Sequence, residues 1–151
     1  MLSIAFCDDE PIMLEELFNV VKGYIDSKKV EFTADLFESG EEFVEKGVRC
    51  RKYDIVFLDI EMKEMNGLEA AAWFRKLNEQ SKVIFVSSHV EYTLDAFKVA
   101  AFRYIIKNKD TMTQAVQEAL DACLDINPEI KQVKKYHFTE LDMFLQTEDI
   151  I

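Results

Sequence analysis

Basic residues are in short supply. Lysine and arginine number 18 against 29 aspartates and glutamates, for a formal net charge of −11 over 151 residues. A grip on nucleic acid or anionic lipid needs a basic surface, so this chain is not expected to hold either by itself. Its charge suits cations or a basic partner. The cysteines (Cys7, Cys50 and Cys123) are odd in number and widely spaced. That spacing excludes a disulfide framework and a metal-ligand motif, and it fits free thiols in a reducing cytosol. No stretch approaches the ~18–20 apolar residues of a membrane span. No basic segment followed by an apolar region opens the chain, so no signal peptide is expected. Internal repeats and low-complexity segments are missing too. With 49% hydrophobic and 31% charged residues, the composition is that of a globular chain, one domain and a little more, able to bury a core.

What the chain does have is a series of short apolar runs that end on polar chemistry. The central one, at 53–62, is Tyr53-Asp54-Ile55-Val56-Phe57-Leu58-Asp59-Ile60-Glu61-Met62. It reads as a strand buried on both faces that ends on Asp59. Aspartate is common at turns, and alone this one would mean little. Leu2–Cys7, however, is a second such run, and it ends on Asp8-Asp9-Glu10 before Pro11. Proline is favoured at the first helical position, and Leu14, Leu17, Phe18, Val21 and Ile25 then form a helical stripe. Residues 30–37 predict a further strand, and Ser39 with Glu42 fits a capping box. Gly67 opens an alanine-rich helix in which Trp73 is a packing residue. Residues 83–86 predict a strand ending on Ser87-Ser88, and 102–106 one ending on Lys107. Thr111 to Gln114 can cap a last helix, with Met112, Ala115, Val116, Ala119 and Cys123 inward. Strands alternating with helices imply right-handed crossovers, hence an α/β fold: a doubly wound five-stranded parallel sheet with helices on both faces.

In such a sheet ligands bind beyond the carboxyl ends of the strands, which here carry Asp8, Asp9, Asp59, Ser87 and Lys107. Three carboxylates in one pocket raise each other's pKa unless a cation neutralises them. Hard oxygen ligands select Mg2+. A lysine opposite the metal would hold an anionic group between two positive charges, and a serine hydroxyl could donate to that group. Phosphoryl transfer is chiefly positioning and charge neutralisation, so the set suits placing a phosphoryl group on a nucleophilic Asp59.

These residues resemble the receiver domain of bacterial two-component response regulators. The matching motifs are Asp8-Asp9-Glu10-Pro11, the segment from Asp59 through Glu61 to Gly67, Val86-Ser87-Ser88, and Tyr104-Ile105-Ile106-Lys107. The resemblance implies a flavodoxin-like strand order, 2-1-3-4-5, and Asp59 as acceptor from the phosphohistidine of a sensor histidine kinase. It implies Mg2+ held by Asp9, Asp59 and the backbone carbonyl of Glu61, with Asp8 helping through water. Ser87 would sense the phosphoryl oxygens, Lys107 would pair with the phosphate, and Tyr104 would change rotamer on activation. Glu61 and His89, each two residues past a site residue, would tune phosphoryl loss. The face of the fourth helix, fifth strand and fifth helix would switch and self-associate, giving a phosphorylation-linked homodimer. A cytoplasmic location without membrane attachment follows.

Residues 91–104 are further similar to regulators that carry a LytTR-type DNA-binding domain. The chain is therefore expected to hold a receiver at 1–124, then at 125–151 a linker and the start of a truncated output domain; a private extension is the other reading of the tail. DNA contact would belong to the missing output domain. Two alternatives remain. A Mg2+-dependent phosphohydrolase of the haloacid-dehalogenase kind wants a second aspartate where Glu61 stands. A receiver fold that binds partners without phosphorylation would not need the intact acids, serine and lysine. One departure from the family stands out: Asn108 follows Lys107 where the family has a proline in a cis peptide bond. A cis bond to a non-proline residue costs ~2.5–4 kcal/mol, so a trans bond is expected, with Lys107 less firmly aimed and turned away from Asp59.

Overall fold

The structure, a computed structural model, describes residues 1–124; the linker and output stub expected at 125–151 lie outside the described residues. The chain divides into two compact units, Met1–Gln117 and Glu118–Ile151. The first carries the sheet and every candidate site residue.

Five strands alternate with five helices. They are β1 (Leu2–Cys7), α1 (Pro11–Ser27), β2 (Phe32–Phe37), α2 (Gly40–Glu45), β3 (Ile55–Leu58), α3 (Gly67–Leu77), β4 (Lys82–Ser87), α4 (Thr93–Lys98), β5 (Arg103–Ile106) and α5 (Met112–Leu124). A 3-10 turn at Gly47–Lys52, which apolar periodicity does not reveal, joins α2 to β3. The strands form one sheet of order β2-β1-β3-β4-β5. Each neighbouring pair is parallel, as expected.

The central strands are apolar on both faces because both are covered. Successive side chains of a strand point to opposite sides. On one side Ala5, Cys7, Val56, Leu58, Val83 and Phe85 join Phe43, Ala70, Ala71 and Phe74 in a buried cluster. On the other, the Phe6 ring stacks on Phe57 at 5.3 Å and meets Phe18 of α1 edge-on at 5.6 Å. Trp73 packs edge-on against Phe43, as a packing residue should.

Boundaries differ locally from the expectation. β3 begins at Ile55, and Asp54 stands outside it as an exposed residue. Its carboxylate accepts from the Ser3 amide at 2.9 Å, which ties the starts of β1 and β3 together. Ser39 does cap α2, accepting from the Glu42 amide at 3.0 Å. The return bond of the capping box goes to the Glu38 amide rather than to Ser39 itself. At the end of α3, Arg75 donates to the carbonyls of Ser81 (2.8 Å), Val99 (2.9 Å) and Ala100 (2.7 Å). Ala100 carries a left-handed φ of 59°, so the α4–β5 corner is fastened to α3 by one guanidinium.

Candidate functional site

Register places the chemistry. Cys7 pairs with Leu58, so Asp8 and Asp59 leave the sheet side by side. Leu58 pairs with Phe85, which carries β4 two residues further, to Ser87. Ser87 in turn pairs with Ile106, and Lys107 follows. The five side chains expected at the strand tips therefore belong to one edge. Asp8, Asp59 and Ser87 are buried, at 3%, 6% and 0% exposure.

One carboxylate oxygen from each of Asp8, Asp9 and Asp59 lies within 4.8 Å of the others. The Lys107 ammonium sits 3.0 Å from Asp8 Oδ2, 3.3 Å from Asp59 Oδ2 and 3.6 Å from Glu10 Oε1. The other Asp8 oxygen accepts from the Glu10 amide at 2.9 Å. Burial, followed by the charge of Asp8, pushes the Asp59 carboxyl up to about 7, against the opposing pull of Lys107. Burial alone would lower Lys107, but the hydrogen bond to Asp8 and the charges of Asp59 and Asp8 outweigh it and hold the ammonium above its usual range. A single lysine thus leaves negative charge uncompensated. Three converging hard oxygens with a raised carboxyl among them fit a small divalent cation, Mg2+ in the first place. Cys7, one residue before Asp8, is no competing ligand: burial pushes its thiol well up, and its Sγ donates to the Ser39 carbonyl at 3.3 Å.

The mouth of the pocket is built from two loops. Glu61 and His89 meet there, with His89 Nε2 2.9 Å from Glu61 Oε1. His89 Nδ1 lies 3.1 Å from Glu91 Oε2, and the Tyr92 hydroxyl donates to Glu61 Oε2 at 2.9 Å. Ser87 Oγ accepts from the His89 amide at 3.1 Å, while the Tyr104 hydroxyl donates to the His89 carbonyl. Tyr104 is therefore already bonded to the loop that follows Ser87. Its phenol is pushed up, mostly by partial burial.

Lys107 contradicts one expectation. No peptide among the described residues is cis, so the bond to Asn108 is trans as anticipated. The lysine nonetheless points at Asp8 and Asp59 instead of away from them. Asn108 supplies the bend by other means. Its amide donates to the Ile106 carbonyl at 2.8 Å and its Oδ1 accepts from the Asp110 amide at 2.8 Å. Its carbonyl accepts from Thr111 and Met112 at the start of α5. Asparagine side chains form such turns with the backbone two residues on.

Two residues hold the Asp59 loop in ways that sequence reasoning missed: Gly67 was read only as a helix start within a motif, and Asn66 was not read as a cap. Gly67 donates from its amide to the Ile60 carbonyl at 2.8 Å. A Cβ at this position would lie 2.0 Å from the Asp59 carbonyl oxygen, so the loop can close only over a glycine. Asn66 caps α3 in a full capping box with Glu69; the Asn-x-x-Glu spacing was present in the sequence, one residue before the helix start assigned there.

Comparison with known proteins agrees with this geometry. The family model of the response regulator receiver domain matches residues 4–118. The transcriptional regulatory protein LytR of Staphylococcus aureus (strain N315) is 31% identical over 103 residues, which are 66% of this chain and 39% of that protein. The sensory transduction protein LytT of Bacillus anthracis is 35% identical over 112 residues, 73% of this chain and 43% of that protein. The chain thus spans about two fifths of the length of these relatives. Among solved structures, the response regulator TrrA of Thermotoga maritima, in complex with Mg2+–BeF, has a TM-score of 0.63 at 30% identity, covering 79% of this chain and 99% of that one. The receiver domain of AraT from Geobacillus stearothermophilus reaches a TM-score of 0.67 at 23% identity, covering 88% and 98%, a likeness of fold alone. By sequence and by fold, this chain belongs to the response regulator receiver domain family of two-component systems.

Proposed function

We propose that the chain is a phosphorylation-activated switch in which Asp59 accepts a phosphoryl group from the phosphohistidine of a sensor histidine kinase. The observation that carries this reading is the placement of Asp59: buried, two other acids within reach, and the Lys107 ammonium 3.3 Å from its Oδ2. In the transfer, an Asp59 oxygen attacks phosphorus, the phosphorus–nitrogen bond of the donor breaks, and the imidazole leaves with the bonding pair. Asp8, Asp9 and Asp59, with the Glu61 carbonyl, would hold Mg2+, which when bound neutralises the charge that builds on the phosphoryl oxygens. Lys107 balances the same charge from the opposite side, and Ser87 donates its hydroxyl to a phosphoryl oxygen. The same hydroxyl oxygen accepts from the His89 amide, so a Ser87 drawn toward the phosphoryl group would pull on that loop, and Tyr104, bonded to it, would feel the change.

The relatives' names, a transcriptional regulator and a sensory transduction protein, support a LytTR-type output beyond residue 124 through which DNA is bound. Leu94 and Phe97, exposed on α4, support self-association through the face of α4 and β5. A cytoplasmic location accords with the free cysteines and with the finding that no described helix is long and apolar enough to cross a membrane. The phosphohydrolase alternative has nothing comparable behind it, since the family match spans the whole site.

Incubation with a small phosphodonor and Mg2+, followed by intact mass, tests the reading. A gain of one phosphoryl group that chelator suppresses and Asp59→Asn abolishes is expected. A gain that survives in Asp59→Asn would move the acceptor elsewhere.

A further inference from the structure

A carboxylate at the rim of a polar pocket ordinarily samples solvent, and Glu61, half exposed, has the room to do so. Each of its oxygens is nonetheless anchored by a partner. His89 Nε2 stands on Oε1 at 2.9 Å, and the Tyr92 hydroxyl on Oε2 at 2.9 Å. His89 is itself engaged by Glu91 through Nδ1 and lies edge-on to the Tyr92 ring at 6.0 Å. Tyr92 is the residue at the N-terminal cap of α4, where a side chain would normally satisfy an orphan amide. It makes no capping bond. Its hydroxyl reaches instead across 31 residues of sequence to the loop that follows Asp59.

We propose that Tyr92 is a positioning residue of the phosphorylation pocket, parking the Glu61 carboxylate against His89 and so withholding it from water. The inference rests on the reading of Asp59 as acceptor. In hydrolysis of the acyl phosphate a water oxygen attacks phosphorus, the bond from phosphorus to the Asp59 oxygen breaks, and Asp59 leaves as carboxylate. The water's proton needs an acceptor. A carboxylate two residues from Asp59 that is free to turn toward the attacking water is suited to take it, whereas one anchored through both oxygens, each of which keeps a second lone pair, is held in place and cannot turn. Tyr92 therefore prolongs the phosphorylated state, and it does so only through Glu61.

The test is a double-mutant cycle on the full chain, phosphorylated with acetyl phosphate and Mg2+, freed of donor and followed by intact mass over time. Tyr92→Phe removes the hydroxyl and keeps the ring. Loss of phosphoryl should quicken roughly three- to ten-fold, the scale of one ordinary hydrogen bond. In a Glu61→Ala background the same change should leave the rate unaltered, because residues acting through one contact are not additive. The melting temperature of Tyr92→Phe should match that of the parent, which separates positioning from loss of structure. Equal acceleration in both backgrounds, or no acceleration in the parent, overturns the inference and leaves the acceptor reading intact. Failure of the parent to gain any phosphoryl group overturns both.

Discussion

The acid pocket and the fourth helix sit at the ends of neighbouring strands and are built in opposite ways. In the pocket Asp8, Asp59, Ser87 and the Lys107 side chain are all less than a tenth exposed. The Asp59 loop is closed by Gly67 and capped by Asn66. α4 has six residues, and Ala96 is its one buried side chain. It has no side-chain cap, while Leu94 and Phe97 stand 77% and 59% exposed. Charge neutralisation works when its groups are fixed before the reaction. A readout element must instead lie near the low end of local stability, because a ligand shifts an equilibrium only by its differential affinity for the two states. The two regions meet in the segment 87–92, where Ser87, His89 and Tyr92 connect the pocket to the start of α4.

The largest expected effect lies on the rigid side. Lys107→Ala removes the one cation that, among the described residues, touches both Asp8 and Asp59, and the rate of phosphoryl gain should fall on the order of 10²-fold, the usual cost of losing one preorganised charge-stabilising group. A time course of intact mass reads it, and a rate within a few-fold of the parent would show the lysine to be structural. Gly67→Ala comes next. Its Cβ would collide with the Asp59 carbonyl, and forced overpacking of this kind costs roughly 1–3 kcal/mol. Thermal melting should show that loss, together with slower phosphorylation because the shifted atom belongs to the proposed acceptor; an unchanged melt would mean the loop is as pliable as α4.

How much of this contrast the sequence disclosed depends on what each part is made of. The acids, Ser87 and Lys107 were legible because polar residues at the ends of apolar runs are conspicuous; the parallel sheet followed from strand–helix alternation, and its strand order from the family resemblance. Gly67 was legible only as a helix start, since its collision with the Asp59 carbonyl depends on a fold of the loop that no periodicity reports. Arg75 was not singled out in the sequence, because helical spacing does not report that its guanidinium is spent on backbone carbonyls of two loops. The aim of Lys107 was misjudged because a trans bond was expected to leave the lysine loosely held, whereas Asn108 fixes the loop with hydrogen bonds.

Acidity gives a milder test. With Asp59 raised to about 7, its proton competes with Mg2+, so apparent metal affinity should climb up to about tenfold per unit between pH 6 and 7 and level off above. The sign for stability is opposite in the metal-free protein. A carboxyl that holds its proton more tightly folded than unfolded makes folding less favourable as pH rises from about 4 to 7, and added Mg2+ should restore what is lost. Calorimetric titration at several pH values checks the first part and melting with and without metal the second; an affinity flat across this range would remove Asp59 from the ligands. The smallest effect is expected on the loose side. Leu94→Ala and Phe97→Ala should each move stability by no more than about 0.5 kcal/mol, as exposed positions do, yet weaken any phosphorylation-dependent association seen by sedimentation. A large loss of stability would place these side chains in a core instead.

The most direct measurement locates the phosphoryl group itself. The chain is phosphorylated with acetyl phosphate and Mg2+, the acyl phosphate is reduced with borohydride to leave homoserine at the modified aspartate, and the peptides are mapped by mass. The account predicts homoserine at position 59 and unreacted aspartate at positions 8 and 9. Homoserine at either of those two positions, or at none of the three in a chain that has gained a phosphoryl group, would contradict it.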